Sequence, residues 1–476
     1  MSESNKNYDV IIIGAGPAGY VCAIRCSQLG MKVACVDAWV NAKGKSTLGG
    51  TCLNVGCIPS KALLDSSHHV HFLNEQAKEH GISVSNVEID VPTMQKRKDK
   101  VVQILTGGVA SLLKKNKVDV YSASASFESE NSVKVQNAAT QLSEILQANN
   151  IIVASGSIPV DIPIAKVDNK IILDSTGALA MQQVPRRLGI IGAGVIGLEM
   201  GSVWKRLGSE VVILEAMPEF LPTADKAISK EALKILAKQG LEIRTNSLVK
   251  EVSVNNNKAL IKYEASGKQK SLEVDKLIVA VGRKANTDGL NLDIVKVNTD
   301  EKGFIETDKY WRTSAKNIYA IGDVIGGAML AHKGSEEGIA LAEMLAGQHA
   351  EMNHDNIPWV IYTWPEVAWA GKTEQECEQL GIKIRIGTFP FMALGRARAM
   401  GDTDGIFKII VDKETDQILG VHILGPNASE LISEAVVAME SELSSEDLAR
   451  TIHAHPSLAE GMHEAALAVD ERAVHI

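Results

Sequence analysis

The feature that most constrains the fold is a pattern that occurs twice in the chain. Each copy has an apolar β-branched run, a Gly-x-Gly-x-x-Gly turn, a helical segment, a second apolar run and an acid. The turns are Gly14–Gly19 and Gly192–Gly197, and the acids are Asp37 and Glu215. In both copies the acid lies 23 positions after the first glycine. This order predicts a strand, a tight turn, a helix and a parallel strand in each copy.

The three glycines of such a turn have different physical tasks. The first permits the tight bend, the second lets the backbone approach a pyrophosphate, and the third allows the helix to pack closely on the strand. The helix N-terminus then faces the phosphates, and the acid accepts hydrogen bonds from a ribose. Two turns that pack helices without a ligand are the alternative, but the repeated context favours two dinucleotide sites. The glycines assigned to them are Gly14, Gly16, Gly19, Gly192, Gly194 and Gly197.

The acid of the second copy predicts which nicotinamide coenzyme binds there. A carboxylate at Glu215 repels a 2′-phosphate and accepts a hydrogen bond from a 2′-hydroxyl. No arginine occurs between Ala216 and Phe220 to bind a phosphate instead. The second site should therefore prefer NAD over NADP.

Length, charge and the N-terminus narrow the class of protein. At 476 residues the chain has room for about three domains of ~150 residues each. The net charge of −9 argues against a nucleic-acid partner, because phosphate binding needs a basic face. The most apolar run, Val10 to Ile24, contains glycine and proline and is too short to span a bilayer. The first residues do not resemble a secretory signal, so we expect a cytoplasmic protein without a membrane segment. A mature organellar protein from which a presequence has been removed is the alternative.

Two of the six cysteines stand out because glycine and proline surround them. Cys52 and Cys57 lie within GGTCLNVGCIPSK. On a regular helix their Cα atoms would be about 8.6 Å apart, whereas a disulfide needs about 4.4–6.8 Å. A bonded pair therefore predicts an irregular helical start that is relieved at Gly56 and ended by Pro59. A zinc site and two inert thiols are the alternatives, but zinc needs further ligands and usually closer cysteines.

Two later segments carry candidate polar groups. The segment Thr313–Asp323 reads as a short strand that ends in Gly-Asp, where a carboxylate can bind sugar or ribityl hydroxyls or simply form a turn. Gly282 lies where the chain returns from the second nucleotide domain, and we assign it to cofactor binding. Near the C-terminus, His455 and Glu460 are five residues apart and suit a base with its orienting carboxylate. A structural histidine is the alternative there.

Together these segments resemble the pyridine nucleotide–disulfide oxidoreductases, and most closely their dihydrolipoyl branch. The resemblance covers essentially the whole chain and keeps the family's order of motifs. Besides the two glycine turns it rests on the motifs GGTCLNVGCIPSK, TSAKNIYAIGD, YTWPEVAWAG, FMALGRARAM and HAHPSLAE.

The resemblance implies roles around a bound FAD. Cys52 would be the interchange thiol that meets the dithiol substrate. Cys57 would lie against the flavin as the charge-transfer thiolate. Lys61 would sit near the flavin and pair with Glu199, and Asp323 would bind the ribityl chain.

The resemblance also implies a homodimer with shared active sites. His455, oriented by Glu460, would be the acid–base supplied to the other subunit's site, and the bond to Pro456 would be cis. The implied activity is the reoxidation of dihydrolipoamide with FAD and NAD. The implied partner is the lipoyl-bearing acyltransferase component of a 2-oxo acid dehydrogenase complex, a glycine-cleavage carrier protein, or both. No metal is expected.

Two alternatives are a glutathione-reductase-like NADPH-dependent enzyme and a mainly structural docking subunit of a multienzyme complex. The first would have a tyrosine at the position of Val195 and arginines after the second strand, and both are missing. The expected fold is α/β, with two Rossmann-like dinucleotide-binding domains, a central domain and a C-terminal α+β interface domain. We expect an FAD domain at 1–155, an NAD domain at 156–282, a central domain at 283–353 and the interface domain at 354–476.

Overall fold

The computed structural model describes residues 6–137 and 140–476, which form two compact units. Most of the first unit comes from the predicted FAD and central regions, and most of the second from the predicted NAD and interface regions. The boundaries of the four predicted domains stay predictions. The first unit contains the described residues up to Ala62 and those of Lys96–Val160 and Gly282–Met352, and the second contains Leu63–Gln95, Asp161–Val281 and Asn353–Ile476.

Many of the strands are rich in β-branched and aromatic residues, which fit a pleated, half-buried surface. In chain order they are β1 (Lys6–Ile13), β2 (Val33–Asp37), β3 (Asp119–Ser122), β4 (Ser124–Ser129), β5 (Ser132–Gln136), β6 (Ser143–Val153), β7 (Ser157–Pro159), β8 (Ile172–Leu173), β9 (Arg187–Ile191), β10 (Glu210–Leu214), β11 (Leu241–Arg244), β12 (Ser247–Asn255), β13 (Lys258–Ala265), β14 (Lys268–Val274), β15 (Lys276–Val279), β16 (Arg283–Ala285), β17 (Ile318–Ala320), β18 (Trp359–Ile361), β19 (Glu366–Gly371), β20 (Ile384–Pro390), β21 (Ile406–Asp412) and β22 (Ile418–Gly425).

The helices lie between these strands, and short 3₁₀ turns supplement them, including one at Gly322–Ile325. In chain order the helices are α1 (Pro17–Gln28), α2 (Gly50–Val55), α3 (Cys57–His71), α4 (Val91–Lys115), α5 (Ser175–Leu179), α6 (Val195–Arg206), α7 (Lys226–Lys238), α8 (Ala331–Leu345), α9 (Glu374–Gln379), α10 (Gly395–Met400), α11 (Ala428–Glu440), α12 (Ser445–Arg450) and α13 (Glu460–Ala468).

A seven-stranded sheet of order β3-β2-β1-β6-β5-β4 forms the centre of the first unit, with β17 paired to β6. Strand β1 is parallel to β2 and β6, and β17 is parallel to β6. Val10 and Ile12 of β1 pack into one core, and Ile11 and Ile13 pack into another, because successive side chains of a strand point to opposite faces. The strand is therefore buried on both faces, as parallel strands are.

The second unit repeats the same local order around a five-stranded parallel sheet, β11-β10-β9-β15-β8. Here β9, α6 and β10 correspond to β1, α1 and β2 of the first unit. The three antiparallel strands β12 to β14 form a separate small sheet, and a second antiparallel sheet has the order β18-β19-β22-β21-β20. The predicted α/β fold with two nucleotide-binding sheets is confirmed.

Candidate active site

The first glycine turn joins β1 to α1 and divides its glycines into two kinds. Gly14 has φ +107°, and a Cβ there would lie 2.3 Å from the carbonyl oxygen of Ala154. A Cβ on Gly19 would lie 1.9 Å from the carbonyl oxygen of Gly14. Gly16 is different, because its nearest neighbour would be the Cα of Gly50 at 3.9 Å. Packing of the protein therefore requires Gly14 and Gly19, and Gly16 faces open space.

The second glycine turn, between β9 and α6, has the same division. Gly192 has φ +104°, and its Cβ would lie 2.3 Å from the carbonyl oxygen of Ala280. A Cβ on Gly197 would lie 2.1 Å from the carbonyl oxygen of Gly192, whereas nothing lies within 4 Å of one on Gly194. In both turns the middle glycine leaves room that the protein itself does not fill, as close approach of a pyrophosphate requires.

The acids at the ends of β2 and β10 differ in what they bind. Oδ1 of Asp37 accepts a hydrogen bond from the backbone N–H of Trp39 at 3.3 Å, and its Oδ2 is buried without a hydrogen-bond partner among the described residues. Glu215 uses both carboxylate oxygens, which accept from the backbone N–H groups of Ala193 and Met217 at 2.8 Å each. Asp37 thus keeps an acceptor for a ligand.

Burial of Asp37 has an electrostatic consequence. It raises the pKa of this carboxyl group to about 6, although backbone N–H groups of Trp39, Ala15 and Ala38 lower it. A buried, unpartnered acceptor beside an open glycine turn fits a dinucleotide whose ribose donates a hydroxyl hydrogen bond.

The two cysteines of interest lie on either side of a break between two helices. Helix α2 ends at Val55, and α3 begins at Cys57. Between them Gly56 has φ −136° and ψ −116°, and a Cβ there would lie 2.9 Å from the carbonyl oxygen of Thr51. The predicted relief at Gly56 is confirmed. Pro59 does not end the irregular segment but lies in the first turn of α3, where the missing N–H costs nothing.

Cys52 and Cys57 are thiols in the structure and are half-buried. A hydrogen bond with the Cys57 thiol, together with burial, raises the pKa of Cys52 well above its ordinary value, and the charge of Lys61 lowers it. The two sulfurs are therefore neighbours, and Lys61 is close to them.

The redox segment packs directly on the first glycine turn. The N–H of Gly49 donates to the carbonyl of Ala15 at 2.9 Å. A Cβ on Gly50 would lie 2.6 Å from the Cα of Gly16, so only glycine allows this approach. A dinucleotide on the first turn would consequently lie beside the segment that carries the cysteines.

Asp323 lies in the 3₁₀ turn that follows β17. Its Oδ2 accepts a hydrogen bond from the hydroxyl of Ser157 at 2.5 Å, and the Ser157 oxygen accepts one from Nε of Arg283 at 2.7 Å. Sequence reasoning assigned neither Ser157 nor Arg283. The one available signal was the position of Arg283 directly after Gly282, whose carbonyl accepts from the N–H of Val160 at 3.1 Å.

The C-terminal segment contains several histidine–glutamate pairs, including one between His475 and Glu464 at 2.7 Å. Nδ1 of His455 lies 2.8 Å from Oε1 of Glu460, while the His455 side chain is 78% exposed. Glu460 is held in turn by the N–H of Ser457 at 2.8 Å. His453 pairs with Glu434 at 2.6 Å but is only 7% exposed, which suits a structural histidine. His455 and His475 thus each combine a glutamate partner with access to solvent, and His455 is the one in the HAHPSLAE motif.

The carboxylate of this pair stays ionised over a wide range. Burial alone would raise the pKa of Glu460, but the Ser457 N–H and the His455 ring outweigh it, and the pKa is lowered. A negative carboxylate fixes the ring orientation and stabilises a protonated imidazole. The bond between His455 and Pro456 is cis, as the resemblance implied.

Another predicted site residue, Glu199, lies in the second unit. Glu199 is 3% exposed on α6, and its Oε1 accepts from the N–H of Tyr362 at 3.1 Å. Its pairing with Lys61 stays a prediction.

Among the described residues, no cluster of histidine, cysteine, aspartate and glutamate suits a metal ion. No helix in residues 6–137 and 140–476 has the length and apolar character needed to cross a membrane.

Comparison with known proteins agrees with this geometry. The family model described as pyridine nucleotide-disulphide oxidoreductase matches residues 8–338, and the model of the dimerisation domain of the same family matches residues 357–466. The chain is 50% identical to the dihydrolipoyl dehydrogenase of Cupriavidus necator, over 99% of this chain and 100% of that protein. It is 46% identical to the mitochondrial dihydrolipoyl dehydrogenase of Pisum sativum, over 100% of this chain and 94% of that protein.

A solved structure extends the similarity to three dimensions. It is that of the HOCl-induced flavoprotein disulfide reductase RclA from Escherichia coli, which is 30% identical in sequence. The two structures superpose with a TM-score of 0.84, over 96% of this chain and 99% of that one.

Proposed function

The chain belongs to the pyridine nucleotide–disulphide oxidoreductases, and we propose that it is a dihydrolipoyl dehydrogenase that uses FAD and NAD. The observation that carries this proposal is the Cys52–Cys57 pair, whose sulfurs are neighbours on a segment packed against the first glycine turn. The 50% identity to a dihydrolipoyl dehydrogenase over nearly the whole chain supports the same substrate.

The dithiol half of the reaction follows from the residues present. His455 takes a proton from one thiol of dihydrolipoamide, because the thiolate is the nucleophile. The thiolate attacks the Cys52 sulfur of the oxidised Cys52–Cys57 disulfide, and Cys57 leaves as a thiolate. The second substrate thiol then displaces Cys52 from the mixed disulfide. The substrate leaves as the cyclic disulfide, and the enzyme pair is left with two electrons.

In the nucleotide half of the reaction, the first glycine turn would bind FAD and the second would bind NAD. Bound FAD supplies the link between two-electron thiol chemistry and hydride transfer to NAD. We propose that Gly14, Gly16, Gly19, Asp37 and Asp323 hold FAD, with Lys61 near the flavin. The proposed NAD site consists of Gly192, Gly194, Gly197, Glu199, Glu215 and Gly282.

Assembly is part of the proposal. The matched dimerisation domain supports a homodimer, in which His455 of one protomer would serve the site of the other. The proposed partners are lipoyl-bearing components, either the acyltransferase of a 2-oxo acid dehydrogenase complex or a glycine-cleavage carrier protein. A cytoplasmic location stays a prediction from the sequence.

Steady-state turnover tests the proposal. The purified FAD-loaded protein should reduce NAD with dihydrolipoamide and show ping-pong kinetics. NADP should be a poor substitute, because Glu215 opposes a 2′-phosphate. Faster reduction of oxidised glutathione by NADPH than of lipoamide by NADH would instead favour the glutathione-reductase-like alternative.

A further inference from the structure

Helix α8 carries a buried ion pair that the reaction scheme does not use. The side chain of Lys333 is 4% exposed and that of Glu337 is 0% exposed. Lysine and glutamate are almost never fully buried unless they are paired. A buried ion pair adds little net stability compared with an apolar pair of similar size, because both charges lose their hydration. Its contacts therefore indicate what it holds in place.

The pair holds the peptide groups on both sides of Gly322. Oε2 of Glu337 accepts from the N–H of Gly322 at 2.7 Å. Nζ of Lys333 donates to the carbonyl oxygens of Gly322 at 3.4 Å and Gly326 at 3.2 Å. Oε1 of Glu337 lies 2.9 Å from Nζ of Lys333, a charge contact without hydrogen-bond geometry. The ion pair thus fixes the backbone immediately before Asp323.

The 3₁₀ turn at Gly322–Ile325 packs against helices α1 and α8. Gly322 has φ +77°, and a Cβ there would lie 2.9 Å from the Cβ of Ala18 on α1. On α8, a Cβ at Gly338 would lie 2.7 Å from the carbonyl oxygen of Ala18. Helix α1 begins at Pro17, within the first glycine turn. The backbone next to Asp323 is consequently packed against the helix that begins in the first glycine turn.

The carboxylate of Asp323 is fixed from the other side as well. Its Oδ2 accepts from Ser157, which Arg283 orients. This hydrogen bond orients the Asp323 carboxylate, which has further lone pairs that can accept from a ligand hydroxyl.

We propose that Lys333 and Glu337 are positioning residues for the FAD site, an inference that rests on the proposed function. They hold the backbone next to Asp323, and with it the Asp323 carboxylate, at a fixed place relative to the first glycine turn. A ligand with a diphosphate and a polyhydroxyl chain, as FAD has, would then engage both at once. The pair acts through Asp323, because its own hydrogen bonds go to the backbone of Gly322 and Gly326.

Two double variants, which remove all or only some of the polar contacts of the ion pair, test this role. K333M/E337L keeps the buried volume but removes every polar contact to Gly322 and Gly326, and the FAD dissociation constant should rise by about tenfold or more. K333M/E337Q keeps an acceptor for the Gly322 N–H, and the rise should be only about threefold. The control K234M/E231L removes an exposed ion pair on α7, where the side chains are 75% and 39% exposed, and should change nothing.

The readouts are FAD titration of the apoprotein by flavin fluorescence, its thermal unfolding, and NAD affinity. A K333M/E337L variant that folds and binds FAD like the wild type overturns the proposal. If that variant fails to fold, K333M/E337Q decides, and wild-type affinity for FAD in it overturns the proposal. Wild-type protein that binds FAD but does not oxidise dihydrolipoamide would contradict the proposed function alone. Wild-type protein that binds no FAD would contradict both.

Discussion

The two glycine turns have nearly the same backbone and different surroundings. Gly14 and Gly192 have φ angles of +107° and +104°, and a Cβ on either would lie 2.3 Å from a carbonyl oxygen. Their acids differ, because Asp37 keeps a buried oxygen without a partner among the described residues, whereas both oxygens of Glu215 bind backbone N–H groups. The redox segment also packs on the first turn.

The surroundings of the two turns indicate how one motif can bind two different ligands. A ligand on the first turn would satisfy the buried acceptor of Asp37, so bound ligand removes an energetic cost. The second turn is already satisfied without a ligand. We therefore expect the first turn to hold a resident FAD and the second to exchange NAD in each cycle. Substitutions should then separate a dithiol half-reaction at the first turn from a nicotinamide half-reaction at the second.

The largest separation is expected for Cys52→Ser. This change removes the sulfur that the substrate attacks, so oxidation of dihydrolipoamide should fall by more than about a thousandfold. FAD should stay bound, and NADH-driven reduction of an artificial electron acceptor should continue, because that half-reaction does not use Cys52. Cys377→Ala is the matched control in the second unit and should leave both activities near wild type. Loss of FAD from Cys52→Ser would contradict this division.

A smaller but similar separation is expected for His455→Gln. Loss of a positioned general base typically costs about 10²- to 10⁴-fold, and we expect a decrease of at least about 100-fold in dihydrolipoamide oxidation alone. His475→Gln is the control, because His475 also pairs with a glutamate, Glu464, at 2.7 Å and is 71% exposed. Rates should be measured for both half-reactions. Equal losses in the two histidine variants would argue against a special role for His455.

Alanine at the middle glycines should weaken one nucleotide at a time. A Cβ fits at Gly16 and at Gly194 without a clash, so both variants should fold. The methyl group would occupy the space reserved for a pyrophosphate, at a cost of about 1–3 kcal/mol, or roughly 5- to 150-fold in affinity. Gly16→Ala should raise the FAD dissociation constant, and Gly194→Ala should raise the KM for NAD. A Gly16→Ala protein that binds FAD normally would show that no pyrophosphate approaches there.

The smallest predicted effect is a pH dependence of FAD affinity, which arises from Asp37 beside the first glycine turn. Burial raises the pKa of Asp37 to about 6, so in the apoprotein this group contributes stability fully below about pH 4 and loses it as the pH rises through 6. A ribose hydroxyl binds the ionised form better, so FAD affinity should increase by up to about tenfold from pH 5 to pH 7. Titration of the apoprotein at several pH values measures this. The same dependence in Asp37→Asn would assign it to another group.

Local features of the site could be predicted from the sequence. The glycine turns depend on neighbours close in the chain, and Gly56 had to break the helix if Cys52 and Cys57 were to meet. The ends of strands were predicted less well. Strand β17 covers only Ile318–Ala320 of the segment that was predicted as a strand.

Features that depend on tertiary packing could not be predicted. The i, i+4 spacing of Lys333 and Glu337 is typical of an exposed helix pair, and nothing in the sequence shows that both are buried against Gly322. Nor does the sequence show that Asp37 keeps a free oxygen and Glu215 does not. Such contacts depend on which elements meet in the folded chain.

The absorption spectrum of the purified protein during reduction by dihydrolipoamide shows directly whether the Cys52–Cys57 pair exchanges electrons with a bound flavin. We expect a yellow protein with a new long-wavelength band after two electrons enter, as a Cys57 thiolate beside an oxidised flavin would give. Bleaching of the flavin without such a band, or a protein that retains no flavin, would contradict it.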